Sequence, residues 1–298
     1  MAALIDAHVH LYSPEINESP AEWAAAAGEA HWATLCTRVR RNGQPVQAFP
    51  TVDELLRAMD EAQVSKAVLL GWYWEKHYNC VAQNRFFERC IRAHPDRLAA
   101  CATFHPEVGE KPVIEELRWA KEHGFCGLGE LSPHSQHFEL SDAGWLAALA
   151  VAAELGLPIN LHVTEPLSKN YPGRVLTPLT DLVTLARSHP RNAFVLAHWG
   201  ARLPFDPVHG DEIRAQRNVF FDTAASPLLY GPEVFREMIE AVGADRIVFG
   251  SDYPLILFPA TERAPSIKSF VAQVETLGLE PSDERKIFSA TAAVIYRI

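Results

Sequence analysis

From Val64 to the C-terminus, short apolar runs alternate with amphipathic stretches of helical period, and no other feature constrains the fold as strongly. Strand-length apolar runs separated by helical stripes are the pattern of successive βα units around a parallel sheet. The predicted strands are Leu4–Val9, Lys66–Leu70, Leu98–Phe104, Phe125–Leu131, Pro158–Val163, Ala193–His198, Val219–Asp222 and Arg246–Gly250. Eight such units close a (β/α)8 barrel of the α/β class, the TIM-barrel architecture. Helix signals lie between the strands. Thr51 and Glu54 form a capping box ahead of Val52, Leu55, Leu56 and Met59. Thr177 and Pro178 make a cap and first-turn pair before Leu179, Leu182, Val183 and Ala186. Gly231 and Pro232 open a third stripe, Val234, Phe235, Met238, Ile239 and Val242, which closes at Gly243. Stripes of this kind are packing surfaces against a sheet.

The 298 residues exceed the roughly 250 of a typical barrel. No internal repeat or low-complexity linker divides them, so a single domain over residues 1–298 is expected, with a C-terminal helical extension from Pro281. The excess falls in three long βα connections, 11–50, 200–218 and 251–263, each after the C-terminal end of a predicted strand, where barrel active sites are built. Twenty-seven basic against 37 acidic residues give a net charge of −10, which repels nucleic acid and anionic membranes. A small-molecule substrate is the expected partner, and a homo-oligomer is compatible with such a surface. Met1 to His10 lacks the pattern of a signal peptide. The longest apolar run, 145–159, is broken by Glu154, Gly156 and Pro158 and is too short to span a bilayer. The five cysteines form no Cys-x-x-Cys pair, so free thiols and a cytoplasmic location are expected.

Thirteen histidines are a heavy load for this length, and the barrel sorts them. His8 and His10 alternate on the first strand, so both project to one face, about 6 to 7 Å apart. Such a pair can chelate one ion, although alone it is more often structural. Glu130 ends the fourth strand, His162 the fifth and His198 the sixth, and Asp252 lies just past the eighth. All six are metal-ligand types at the same end of the barrel. Buried, unpaired carboxylates would be costly there, and a dication makes them favourable. His105, closing the third strand, is a candidate substrate contact, as are His134 and His137 after Glu130.

Asp6-Ala7-His8-Val9-His10, Leu161-His162, Ala197-His198-Trp199-Gly200 and Gly250-Ser251-Asp252-Tyr253-Pro254, in this order, resemble the amidohydrolase superfamily. Within it the chain is similar to the amidohydrolase-related branch (amidohydrolase 2) of hydrolases, lactonases and aromatic-acid decarboxylases. The resemblance spans nearly the whole chain and is specific for fold and metal site, far less for substrate. It implies that His8, His10, His162 and Asp252 bind metal and that Asp252 also handles the proton of the attacking water. His198 matches a residue that polarises the substrate or binds a second metal. Glu130 departs from the mononuclear decarboxylases and matches the glutamate with which TatD-like hydrolases bridge two metals. No lysine stands at that strand end, which excludes a carbamylated-lysine bridge.

These features lead to the expectation of a metal-dependent hydrolase that uses activated water on an amide, lactone or ester of a small molecule, with Asp252 and His198 catalytic. A metal-dependent decarboxylase of an aromatic or unsaturated acid is the alternative; a non-catalytic binding barrel is a third. Zinc is the expected ion, one or two per chain, and manganese or iron suits the same donors. Trp72, Tyr73 and Trp74 after the second strand and Trp199 after His198 are expected as aromatic walls, with Trp23 and Trp32 as a lid; ordinary core or interface packing is their other reading. Arg202 and Lys76 are expected as partners for a substrate carboxylate, with exposed salt bridges as their other reading.

Overall fold

The computed structural model describes residues 4–298; residues 1–3, part of the N-terminal segment and of the domain span, lie outside the described residues. The strands are β1 (Leu4–Val9), β2 (Val64–Leu70), β3 (Leu98–Ala102), β4 (Gly127–Leu131), β5 (Ile159–Leu161), β6 (Phe194–Leu196), β7 (Val219–Asp222) and β8 (Ile247–Val248). They pair in sequence order, every neighbour parallel. Ala7 N donates to Phe249 O (2.8 Å), Asp252 N to His8 O (2.9 Å) and His10 N to Tyr253 O (2.7 Å), which brings the last strand round to the first and makes the (β/α)8 barrel.

The first long connection carries α1 (Pro14–Glu18), α2 (Pro20–Ala27) and α3 (Ala30–Cys36). Then follow α4 (Val52–Glu61), α5 (His77–Ala93), α6 (Glu110–Glu122), α7 (Ala143–Leu155), α8 (Leu179–Ser188), α9 (Gly210–Ala215), α10 (Ser226–Leu229), α11 (Val234–Val242), α12 (Ile267–Glu275), α13 (Pro281–Arg285) and α14 (Thr291–Tyr296). None of the described helices is long and apolar enough to cross a membrane. All five cysteines are buried free thiols.

Strand alternation sorts the core into two layers. Ala67 and Leu69 of β2 and Leu98 and Ala100 of β3 pack with helix residues such as Leu55, Met59, Phe87 and Leu117. The intervening Val68, Leu70, Ala99 and Cys101 join Val195, Val248 and the α14 residues Ala292, Ile295 and Tyr296. The C-terminal helix therefore plugs one end of the barrel and leaves the other to the long connections. These form a roof: Gln47 bridges Leu255, and His31 Nε2 lies 2.8 Å from Gly173 O in the loop after β5.

Several ladders stop earlier than the apolar runs predicted. Past β6 and β8, side chains replace backbone partners: His198 N donates to Asp222 Oδ1 (2.9 Å) and Gly250 N to Thr223 Oγ1 (3.0 Å). The capping box of Thr51 and Glu54 forms in both directions. Thr177 does not cap α8; its hydroxyl accepts from Thr164 N (3.2 Å) and ties the β5 loop to the helix start instead. Gly231 and Pro232 make a turn before α11, which begins at Val234 and ends at Gly243 as expected.

Candidate metal centre

Two groups of donor atoms face each other where the strands end. His8 Nε2 and His10 Nε2 are 3.1 Å apart, and Asp252 Oδ1 is 3.8 and 3.6 Å from them. Opposite, His162 Nδ1 lies 2.9 Å from Glu130 Oε1, His198 Nε2 lies 3.4 Å from the same oxygen, and the two ring nitrogens are 3.2 Å apart. The second oxygen of Glu130, Oε2, points at the first group, 3.9 Å from His8 Nε2 and 3.6 Å from His10 Nε2. One carboxylate thus presents an oxygen to each group. The six residues singled out from the sequence converge here from five strands.

Two glycines permit this convergence. Gly129, just before Glu130, has φ +123°, and a Cβ there would sit 2.5 Å from Asn160 O. A Cβ on Gly250 would sit 2.5 Å from His8 Cβ, so β8 approaches β1 only without a side chain.

The donor set fits a cation. Each histidine has an acceptor for its outward nitrogen: Asp222 Oδ2 at 2.9 Å from His8 Nδ1, Leu70 O at 3.3 Å from His10 Nδ1, Ala224 O at 3.1 Å from His198 Nδ1 and Thr164 Oγ1 at 3.2 Å from His162 Nε2. An N–H directed outward leaves a bare nitrogen inward, which is how metal-binding imidazoles are oriented. In the two groups the paired ring nitrogens lie 3.1 and 3.2 Å apart, so each pair needs a proton or a cation between its lone pairs. Donors at these separations suit ligands held at about 2.0–2.2 Å from an ion.

Electrostatics point the same way. Burial pushes the Glu130 carboxyl up, yet His162, His198 and His8 hold it well below the ordinary carboxylate range. Burial disfavours a charge on His8, but Asp222, Glu130 and Asp252 raise it to about 10; for His198, Glu130 and Asp252 outweigh burial and raise it to about 9. Burial and the neighbouring His8 drive His10 down to about 3, and burial lifts Asp252 to about 6. The carboxylates call for positive charge at two places, one in each group. A divalent metal meets that demand without protons.

The sequence reading did not single out Asp222 or Thr164. The signal for Asp222 was present, because it ends the seventh strand as Glu130 ends the fourth. Thr164 lies two residues past His162 and carried no such mark.

The remaining candidates distribute unevenly. The Trp72 ring is 5.2 Å from that of His10 and stacks on Tyr73 at 4.3 Å, and Tyr73 is 5.2 Å from the His162 ring. These two aromatics wall the centre. Trp199 does not: it is fully buried, donates to Ser226 Oγ (2.8 Å) and packs on Phe235, because the chain turns left-handed after His198 and swings the indole into the core. Arg202 is carried outward by the same turn and pairs with Glu237 (2.8 Å). His105 has both nitrogens engaged, Nε2 donating to Gln136 O (2.8 Å) and Nδ1 accepting from Glu107 N (3.2 Å), so it braces loops instead of facing the centre. Trp23 and Trp32 pack with Trp74 in the roof, and His134 pairs with Asp181 (2.9 Å).

Comparison with known proteins gives a concordant picture. The family model described as amidohydrolase matches residues 5–298. The fold is similar to that of 5-carboxyvanillate decarboxylase from Novosphingobium aromaticivorans, solved with manganese and a nitrobenzoic acid, at a TM-score of 0.75 and 16% identity over 100% of this chain and 96% of that one. It is similar to 2,6-dihydroxybenzoate decarboxylase from Rhizobium at 0.67 and 18%, over 100% and 99%. It is also similar to a putative 2-pyrone-4,6-dicarboxylic acid hydrolase from Pseudomonas putida at 0.67 and 19%, over 100% and 98%.

Proposed function

The chain belongs to the amidohydrolase family, and from that premise we propose that it is a metal-dependent hydrolase acting on an amide, lactone or ester of a small molecule. The observation that carries this reading is the Glu130 carboxylate, with Oε1 toward His162 and His198 and Oε2 toward His8 and His10. A carboxylate so placed suits a pair of divalent ions, zinc or manganese, one held by His8, His10 and Asp252 and the other by His162 and His198. Ions there would make a water nucleophilic near neutral pH and polarise the scissile carbonyl.

The protein's own groups supply the rest. The side chains of Asp252 and His162 are 12% and 17% exposed against 2% for Glu130, so these two meet what enters the mouth. Asp252 accepts the proton lost by the attacking water and returns it to the leaving group. With Nδ1 of His198 held by Ala224 O, its inward Nε2 suits a metal ligand better than a donor to an oxyanion. Trp72 and Tyr73 hold an apolar part of the substrate and exclude water.

A second reading is a decarboxylase of an aromatic acid. The known proteins of this fold named above favour it over hydrolysis, since most are aromatic-acid decarboxylases; at 16–19% identity they establish the fold. The stacked Trp72 and Tyr73 also suit a planar ring. The two readings separate in one assay series with saturating zinc or manganese, in which lactones, esters, amides and hydroxybenzoic acids are offered to the wild type and to Glu130→Gln. Hydrolysis that falls at least about 100-fold in the variant supports the first reading. Carbon dioxide release from an aromatic acid, unaffected by the substitution, overturns it in favour of the second.

A further inference from the structure

Asp222 donates no ligand atom to the centre, yet it reaches both halves of it. It ends β7 and is fully buried. Its Oδ2 accepts from His8 Nδ1 (2.9 Å) and Asn160 Nδ2 (3.0 Å), and its Oδ1 accepts from the backbone N–H groups of His198 (2.9 Å) and Ala224 (3.1 Å). An ionised carboxylate only accepts, so the proton between Asp222 and His8 sits on Nδ1, and in the neutral ring the nitrogen left bare for a metal is the one facing the centre, Nε2. On its other side, Asp222 grips the first residue of an unusual run. His198 through Arg202 all have φ between +52° and +59°. Left-handed turns of this length are costly for residues with a Cβ and persist only when surrounding contacts over-determine them. The bond from His198 N is one such contact, and it sets the point from which the ring reaches Glu130 and His162.

We propose that Asp222 is a positioning residue that couples the two donor groups: it fixes His8 with Nδ1 protonated and Nε2 free, and it fixes the backbone from which His198 enters the opposite group. The inference rests on the reading of the cluster as a metal centre. It makes a specific statement about Asp222→Asn, a substitution nearly neutral in volume. Two backbone N–H groups occupy the Oδ1 side and cannot turn away, so the amide oxygen must stay there. The NH2 then faces His8 and Asn160. Asn160 can rotate to offer Oδ1, an atom that has no hydrogen-bond partner at present. His8 can answer only by presenting a bare Nδ1, which moves its proton to Nε2, against the centre.

The test is nitrogen NMR of the full chain loaded with zinc and labelled in histidine, together with zinc retention against a competing chelator. The wild type should show His8 with a protonated Nδ1 and a zinc-bound Nε2. Asp222→Asn should show the reversed ring, or loss of the zinc-bound signal, and zinc binding weakened about 10- to 100-fold. Asn160→Leu removes the other donor to Oδ2 and should leave the His8 pattern and zinc affinity within about twofold of the wild type. A wild-type His8 with bare Nδ1 overturns the proposal even if Asp222→Asn does not fold, as does unchanged zinc retention in a folded Asp222→Asn. A wild type that binds no zinc would instead refute the reading of the centre itself, so the two failures are distinct.

Discussion

At the residue scale, roles follow from which atom of each side chain is engaged. Asp252 has one oxygen toward His8 and His10, while Oδ2 lies 4.0 Å from His198 Nδ1. Asp252→Asn keeps an oxygen donor but removes the proton acceptor. Turnover should fall by about 100- to 10,000-fold while most of the metal is retained, measured by kcat beside elemental analysis; a fully active variant would refute the proton role. Arg202→Ala, by contrast, should leave turnover unchanged, since its guanidinium pairs with Glu237 away from the centre; a raised KM would return it to the substrate site. The ligand-type residues were legible because strand period and residue chemistry coincided at one end of the barrel. Trp199 and Arg202 were misjudged because proximity in sequence to His198 says nothing about a backbone that turns left-handed at that point. Asp222 was passed over because no histidine accompanied it in sequence.

At the level of elements, the order and number of strands could be read from apolar runs, and their ends could not. Periodicity reports burial, and His162 and His198 are flanked by apolar residues, and Gly250 follows Phe249, all of which remain buried after the ladder stops. The ladder ends where a side chain offers a better acceptor, as Asp222 does for His198 and Thr223 for Gly250. The seam between β8 and β1 is the most sensitive element. Gly250→Ala places a Cβ against that of His8 and must displace one of the two strands. Overpacking of this kind should destabilise by about 1–3 kcal/mol and shift His8 as well. Chemical denaturation and metal retention would both report it; a variant equal to wild type in both would show that the seam yields without consequence. Thr51→Ala removes a solvent-exposed capping box that makes no hydrogen bond to the ligand-type residues, and should cost about 0.5–2 kcal/mol with no change in bound metal.

For the whole molecule, the barrel explains why a chain with net charge −10 concentrates histidine and carboxylate at one end. The helical plug of α14 fills the opposite end with Ile295 and Tyr296, so polar groups can gather only at the mouth, under the roof of the long connections. Three carboxylates, Glu130, Asp222 and Asp252, are buried there among four histidines. Folding brings these charges together, and bound cations should therefore stabilise the entire fold. Metal at about 100 times its dissociation constant contributes about 2.7 kcal/mol, and at about 2–4 °C per kcal/mol its removal by a chelator should lower the unfolding midpoint by about 5–10 °C. The most direct test of the account is the location and number of the ions themselves, by anomalous X-ray scattering at the zinc or manganese edge from crystals of the metal-saturated protein. Two peaks, one on each side of the Glu130 carboxylate, are the predicted result. A single peak with Glu130 outside its ligands, or no peak among these six residues, would contradict it.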